Sequence, residues 1–127
     1  MEKIFLDTSA VLAGTIKDNH DIILSPITLS ELEHIKTADN KPDNIKYFAR
    51  EAIRDILQNS YITFTTYDNK KIDRLLKKYN FLSNINDHRI LCHAALAANG
   101  DIIDFYTNDA AQYLFAKRMR ELNPIYI

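Results

Sequence analysis

Five short apolar runs punctuate the chain: Ile4-Phe5-Leu6, Ile22-Ile23-Leu24, Tyr61 to Thr65, Ile102 to Tyr106 and Ile125-Tyr126-Ile127. Several are continuous rather than alternating, which is the pattern of strands covered on both faces. Between them lie stretches with helical spacing. One is predicted from near Ile27 to Ala38. A second runs from Ile45 to Asn59, with Ala49, Ala52, Ile53, Ile56 and Leu57 as its stripe. A third covers Asn69 to Tyr79 and carries Ile72, Leu75 and Leu76. A fourth runs from Asp87 to Ala98, stopped by Asn99-Gly100, and a fifth from Asp109 to about Leu122, stopped before Pro124. Thr37 to Asn44, with Pro42, reads as a loop between helices. Strands alternating with helices predict an α/β sandwich with a mainly parallel sheet, whose sites lie beyond the carboxyl ends of the strands.

The length of 127 residues suits one domain, 1–127, and 46% hydrophobic against 26% charged residues is an ordinary globular balance. Net charge is −1, so polyanion binding would rest on local patches rather than bulk charge. One cysteine, Cys92, excludes an internal disulfide framework and a cysteine-rich zinc site. Two glycines, Gly14 and Gly100, are too few and too far apart for a phosphate-cradling loop. With no signal-like or membrane-length apolar run, the expectation is a cytoplasmic protein with no membrane partner.

The candidate chemistry lies in acids at element junctions. Asp7 directly follows the first apolar run, where it serves equally as a helix cap or as a ligand at the sheet edge. Asp109, after Thr107-Asn108, repeats that arrangement behind the fourth run. Glu31 shares a helix face with Ile27 and Ile35, whereas Glu33 shares its face with Leu29, Ser30, Lys36 and Thr37, a more polar set; this favours Glu31 as the inward carboxylate. Thr28 with Glu31 also fits a capping box. Asp87, behind Asn86 and ahead of Ile90, Leu91 and Ala94, stands in the first turn of a buried face, where the helix dipole alone would favour an acid. Asp104, inside the fourth run, is expected near the amino-terminal end of its strand, away from the site. In a parallel sheet the strand ends and the starts of the following helices share an edge, so the four acids converge. Such a group repels itself without a cation, and oxygen-only ligation suits Mg²⁺ or Mn²⁺.

These residues resemble the PIN domain family. Phe5-Leu6-Asp7-Thr8-Ser9-Ala10 is similar to its opening motif, Leu29-Ser30-Glu31-Leu32 to its second, Asn86-Asp87-His88-Arg89-Ile90-Leu91 with Ala94 to its third, and Thr107-Asn108-Asp109 to its fourth. The third looks most like PIN domains fused to PhoH-type ATPases, although no P-loop is present, and single-domain relatives include VapC-like toxins. The resemblance implies a five-stranded sheet of order 3-2-1-4-5 in a three-layer sandwich. It implies a site in which Asp7, Glu31, Asp87 and Asp109 hold Mg²⁺ or Mn²⁺, supported by Thr8, Ser9, Thr107 and Asn108, and cleavage of single-stranded RNA. An antitoxin protein and a second copy of the chain are the protein partners this reading allows.

Arg89, Lys117 and Arg118 are the candidate substrate contacts, against the simpler reading of solvated helix faces. Tyr61, Tyr67, Tyr79, Tyr106 and Tyr113 offer stacking surfaces, although aromatic residues at such spacings are more often core. His88 and His93 sit five apart and do not share a face; His20 and His34 lack obvious partners. Two alternatives stand beside the nuclease. One is a non-catalytic RNA-binding or assembly module on the same fold. The other is a HAD-like phosphatase, disfavoured because Ser9 occupies the place of its second acid.

Overall fold

The computed structural model describes residues 3–16, 21–79 and 85–127; His20 lies outside them. A parallel sheet of five strands forms the middle layer: β1 (Lys3–Leu6), β2 (Asp21–Leu24), β3 (Ile62–Phe64), β4 (Ile103–Thr107) and β5 (Leu122–Tyr126), in the order β3-β2-β1-β4-β5. Every pairing is parallel, with Ile4 beside both Ile22 and Asp104. Order and direction are those the sequence led us to expect. The helices are α1 (Thr8–Leu12), α2 (Pro26–Thr37), α3 (Asp43–Gln58), α4 (Asn69–Lys78), α5 (Ile85–Ala97) and α6 (Ala110–Ala116). None of the described helices is long and apolar enough to cross a membrane.

Alternation along β1 sends its side chains to opposite faces. Ile4 and Leu6 pack with Ile22, Leu24 and Leu32 and with the α3 stripe Ala49, Ala52, Ile53 and Ile56. Phe5 points the other way, onto Phe105, Ile90, Leu91, Ala94 and Met119. Both faces of the strand are therefore buried, which is why its apolar run is continuous.

Three local expectations are corrected. Helix α6 ends at Ala116 rather than near Leu122. Met119 and Leu122 keep helical spacing, but they bury in the core through tight turns, Met119 N–H to Ala116 O and Leu122 N–H to Met119 O, and Leu122 opens β5. Pro124 then lies within β5 instead of stopping a helix, and is tolerated because β5 is an edge strand. The short helix α1 follows Asp7 as the cap reading requires, although no apolar stripe marked it in the sequence. The capping box does not form: α2 starts at Pro26 and is capped by Ser25, whose side chain accepts from Ile27 N–H, so Thr28 lies inside the helix. Asp104 falls where expected, near the start of β4, and accepts from Asn123 Nδ2 at 2.9 Å.

Candidate functional site

Asp7 leaves β1 at its carboxyl end and is 3% exposed. Each of its oxygens is held. Oδ1 accepts from Ser9 Oγ at 2.7 Å and from Ala10 N–H at 2.9 Å, and Oδ2 accepts from Thr107 Oγ1 at 2.5 Å. Asp7 is thus the N-cap of α1, and that role also fixes where its carboxylate sits. The two hydroxyls are fixed in turn: Ser9 Oγ accepts from Asn108 N–H at 2.8 Å, and Thr107 Oγ1 from Asp109 N–H at 3.0 Å. The ends of β1 and β4 are therefore stitched together around one buried carboxylate.

Thr8 turns the other way and holds Glu31, with Oγ1 2.7 Å from Glu31 Oε1 and 3.1 Å from Thr28 Oγ1. Thr28 is the buried hydroxyl that the capping-box reading misassigned. Glu33, on the neighbouring face, pairs with Lys36 at 2.7 Å at the surface. Asp109 caps α6 by accepting from Gln112 N–H at 3.1 Å. Gln112, 4% exposed, spends its amide elsewhere: Nε2 donates to the carbonyl of Asp87 at 2.9 Å. It ties α6 to the first turn of α5. Gln112 was not among the expected site residues, yet an acid followed three residues later by Gln is a helix-start signature that could have drawn attention to it.

The four acids sense one another. The Asp87 carboxyl is pushed from 3.8 to about 6 by burial first, then by the charges of Glu31, Asp109 and Asp7. Asp7 is also raised, mainly by burial, against the pull of its three donors, with Asp109 adding repulsion. The ion pairs Lys36–Glu33 and Arg54–Glu51 lie elsewhere. Among the described residues no group of three Asp, Glu, His or Cys side chains is already gathered into a metal cage. The four are electrostatically coupled rather than closed around a point. A hard divalent cation fits this donor set, which is entirely oxygen and mutually repelling.

This coupling has a measurable consequence. The folded protein holds the Asp87 proton more tightly than the unfolded chain does, so ionising Asp87 costs stability as pH rises from about 4 to about 6. The metal-free protein is expected to show a fall in Tm over that window. Asp87→Asn should lack this contribution and be the more stable of the two at neutral pH. A Tm difference between them that does not change with pH would contradict the coupling.

The remaining candidates divide by position. Arg89 is exposed two residues beyond Asp87 on a different face of α5, where it lines a neighbouring cleft. Lys117 and Arg118 lie past the far end of α6, about 12 Å of helix from Asp109. Lys117 rests over the Tyr113 ring at 5.2 Å. The side chain of Asn108 donates to the Ile127 carbonyl. Tyr106 packs on the core, and Tyr79 donates to Glu121 Oε1 at 2.6 Å. Cys92 is buried, its thiol pushed up to about 12 chiefly by desolvation, as suits a core residue.

An α/β sandwich of this strand order with acids along its carboxyl edge is the architecture of a PIN domain. The sequence profile of the PIN domain family matches residues 3–120, and the chain belongs to that family. No curated protein matches the sequence. Among solved structures, a member of the VapBC toxin–antitoxin family, VapBC-5 from Mycobacterium tuberculosis, superposes with TM-score 0.69 at 18% identity, covering 100% of both chains. A domain of a functionally unknown protein from Methanocaldococcus jannaschii gives 0.68 at 19%, over 100% of this chain and 91% of the other. VapBC2 from Rickettsia felis, bound to a DNA fragment from its promoter, gives 0.63 at 18% over 98% of each. At these identities the likeness shows a shared fold.

Proposed function

We propose that the chain is a divalent-metal-dependent nuclease that cuts single-stranded RNA at this carboxylate edge, as the toxin of a toxin–antitoxin pair. The observation that carries the reading is the mutual repulsion of Asp7, Glu31, Asp87 and Asp109, at the ends of β1 and β4, in the second turn of α2 and in the first turn of α5. Membership of the PIN family and the likeness to VapBC structures support it. Asp7, Glu31, Asp87 and Asp109 would hold Mg²⁺ or Mn²⁺. Such an ion, when bound, supplies the positive charge that draws a phosphodiester in and steadies charge on the leaving oxygen. The protein's own part is positioning. Ser9, Thr107 and Ala10 N–H fix both oxygens of Asp7, Thr8 fixes Glu31, and Gln112 sets the first turn of α5 that carries Asp87.

The net charge of −1 and the modest basic patches favour a second reading, a PIN-fold module that binds RNA or assembles with a partner without cutting. One experiment separates the two. Single-stranded RNA is incubated with the protein and Mn²⁺ or Mg²⁺, then with excess chelator. Cleavage that appears with metal and stops with chelator is the expected result. RNA binding without cleavage under any metal condition would overturn the nuclease reading in favour of the second.

A further inference from the structure

Next to the acids lies a separate cleft of about 550 Å³, walled by Pro26, Ile27, Thr65, Tyr67, Arg89 and His93, with Asp73 on its rim. The first turn of α2, Pro26 and Ile27, also walls the groove that contains Glu31 and Asn86. A strand crossing that turn passes from the groove at Glu31 into the cleft.

The cleft holds one histidine in a fixed place. Ser25 Oγ, which accepts from Ile27 N–H, lies 2.7 Å from His93 Nδ1. Thr65 Oγ1 stands 3.3 Å from the same nitrogen. The two hydroxyls hold the Nδ1 edge of the ring, with Nε2 on the other side. Burial and the neighbouring Arg89 both disfavour a second proton. The Tyr67 ring lies 6.5 Å from the His93 ring at 59°, half-buried, with one surface to solvent. Arg89, one turn before His93 on α5, adds an exposed guanidinium. The cleft therefore combines a cation with a planar fork of donors, a fixed imidazole and an aromatic face. That set matches one nucleotide: a phosphate for Arg89, a base for Tyr67. With Asp73 on the rim the field is not uniformly positive, so a single phosphate is gripped rather than a polyanion attracted in bulk.

We infer that this cleft is the subsite for a nucleotide flanking the scissile bond of single-stranded RNA, with Arg89 on its phosphate, Tyr67 against its base and the His93 imidazole as a hydrogen-bonding partner. The inference deepens the nuclease reading and rests on it for the position of the scissile bond.

The test uses the metal-free protein, which cannot cut. Ring signals of His93 and Tyr67 are followed by NMR as a short oligouridylate is added, and affinity is measured in parallel. Both rings are expected to shift. Arg89→Gln should weaken binding about tenfold, while Arg54→Gln, an exposed arginine on α3, leaves it unchanged. Either of two results overturns the inference: RNA bound with both rings unmoved, or unaltered affinity in Arg89→Gln. RNA that shifts both rings, in a protein that never cleaves with metal, would sustain the subsite and remove the nuclease.

Discussion

Asp7→Asn is expected to lower metal-dependent RNA cleavage about a thousandfold or more while leaving the fold intact. The side chain has two separable roles. As a carboxylate, Asp7 offers negative charge and free lone pairs at the point where β1 and β4 end. An amide keeps the shape and loses the charge, so the charge stabilisation that a ligated cation gives to a phosphodiester transition state is forfeited, at about 1.36 kcal/mol per decade of rate. As a cap, the side chain accepts from Ser9, Ala10 and Thr107. Asn can satisfy one side of that set, so about 1 kcal/mol of stability is lost. The relief of a buried charge whose pKa is raised works in the opposite direction. Circular dichroism and chemical denaturation alongside the kinetics separate the roles. A variant that folds normally and still cuts at wild-type rate would show that Asp7 is a cap and nothing more.

The second large effect concerns the scaffold. Phe105→Ala should cost about 3–5 kcal/mol, a large share of the 5–15 kcal/mol typical of a whole domain. Phe105 is fully buried in β4, stacked on Phe5 with ring centroids 5.9 Å apart at 18°, inside the cluster that α5 covers. Removing it leaves a void between the two strands that end at Asp7 and Thr107, in a layer too well filled to collapse around it. Urea denaturation should show a lower midpoint with an unchanged slope. A loss under about 1 kcal/mol would mean that the layer repacks freely, and that the sheet edge is less rigid than the hydrogen bonds around Asp7 imply.

What the sequence disclosed followed from local rules. A continuous apolar run ended by a charged residue reads as a buried strand with its carboxyl end at the site, and this located Asp7 and Asp109. Helical phase separated Glu31, held by Thr8, from Glu33, paired with Lys36 at the surface. The losses came where one pattern serves two structures. Met119 and Leu122 are spaced like a helix stripe but are core residues of a turn and an edge strand. Thr28 and Glu31 are spaced like a capping box, but Pro26 pre-sets the helix one turn earlier and hands the cap to Ser25. Contacts that join distant parts of the chain have no local signature. The Gln112 bond to Asp87 and the Ser25–His93–Thr65 group span 25 to 68 positions and exist only once the layers are stacked.

Under the proposed function these carboxylates jointly hold a divalent ion, and everything else at the site depends on it. That binding is tested most directly by anomalous diffraction from crystals of the protein equilibrated with Mn²⁺. The account requires a manganese peak at the carboxyl edge of the sheet, at ligand distance, about 2.0–2.2 Å, from oxygens of at least two of Asp7, Glu31, Asp87 and Asp109. Manganese bound only elsewhere on the surface, with this edge empty at saturating metal, would contradict it.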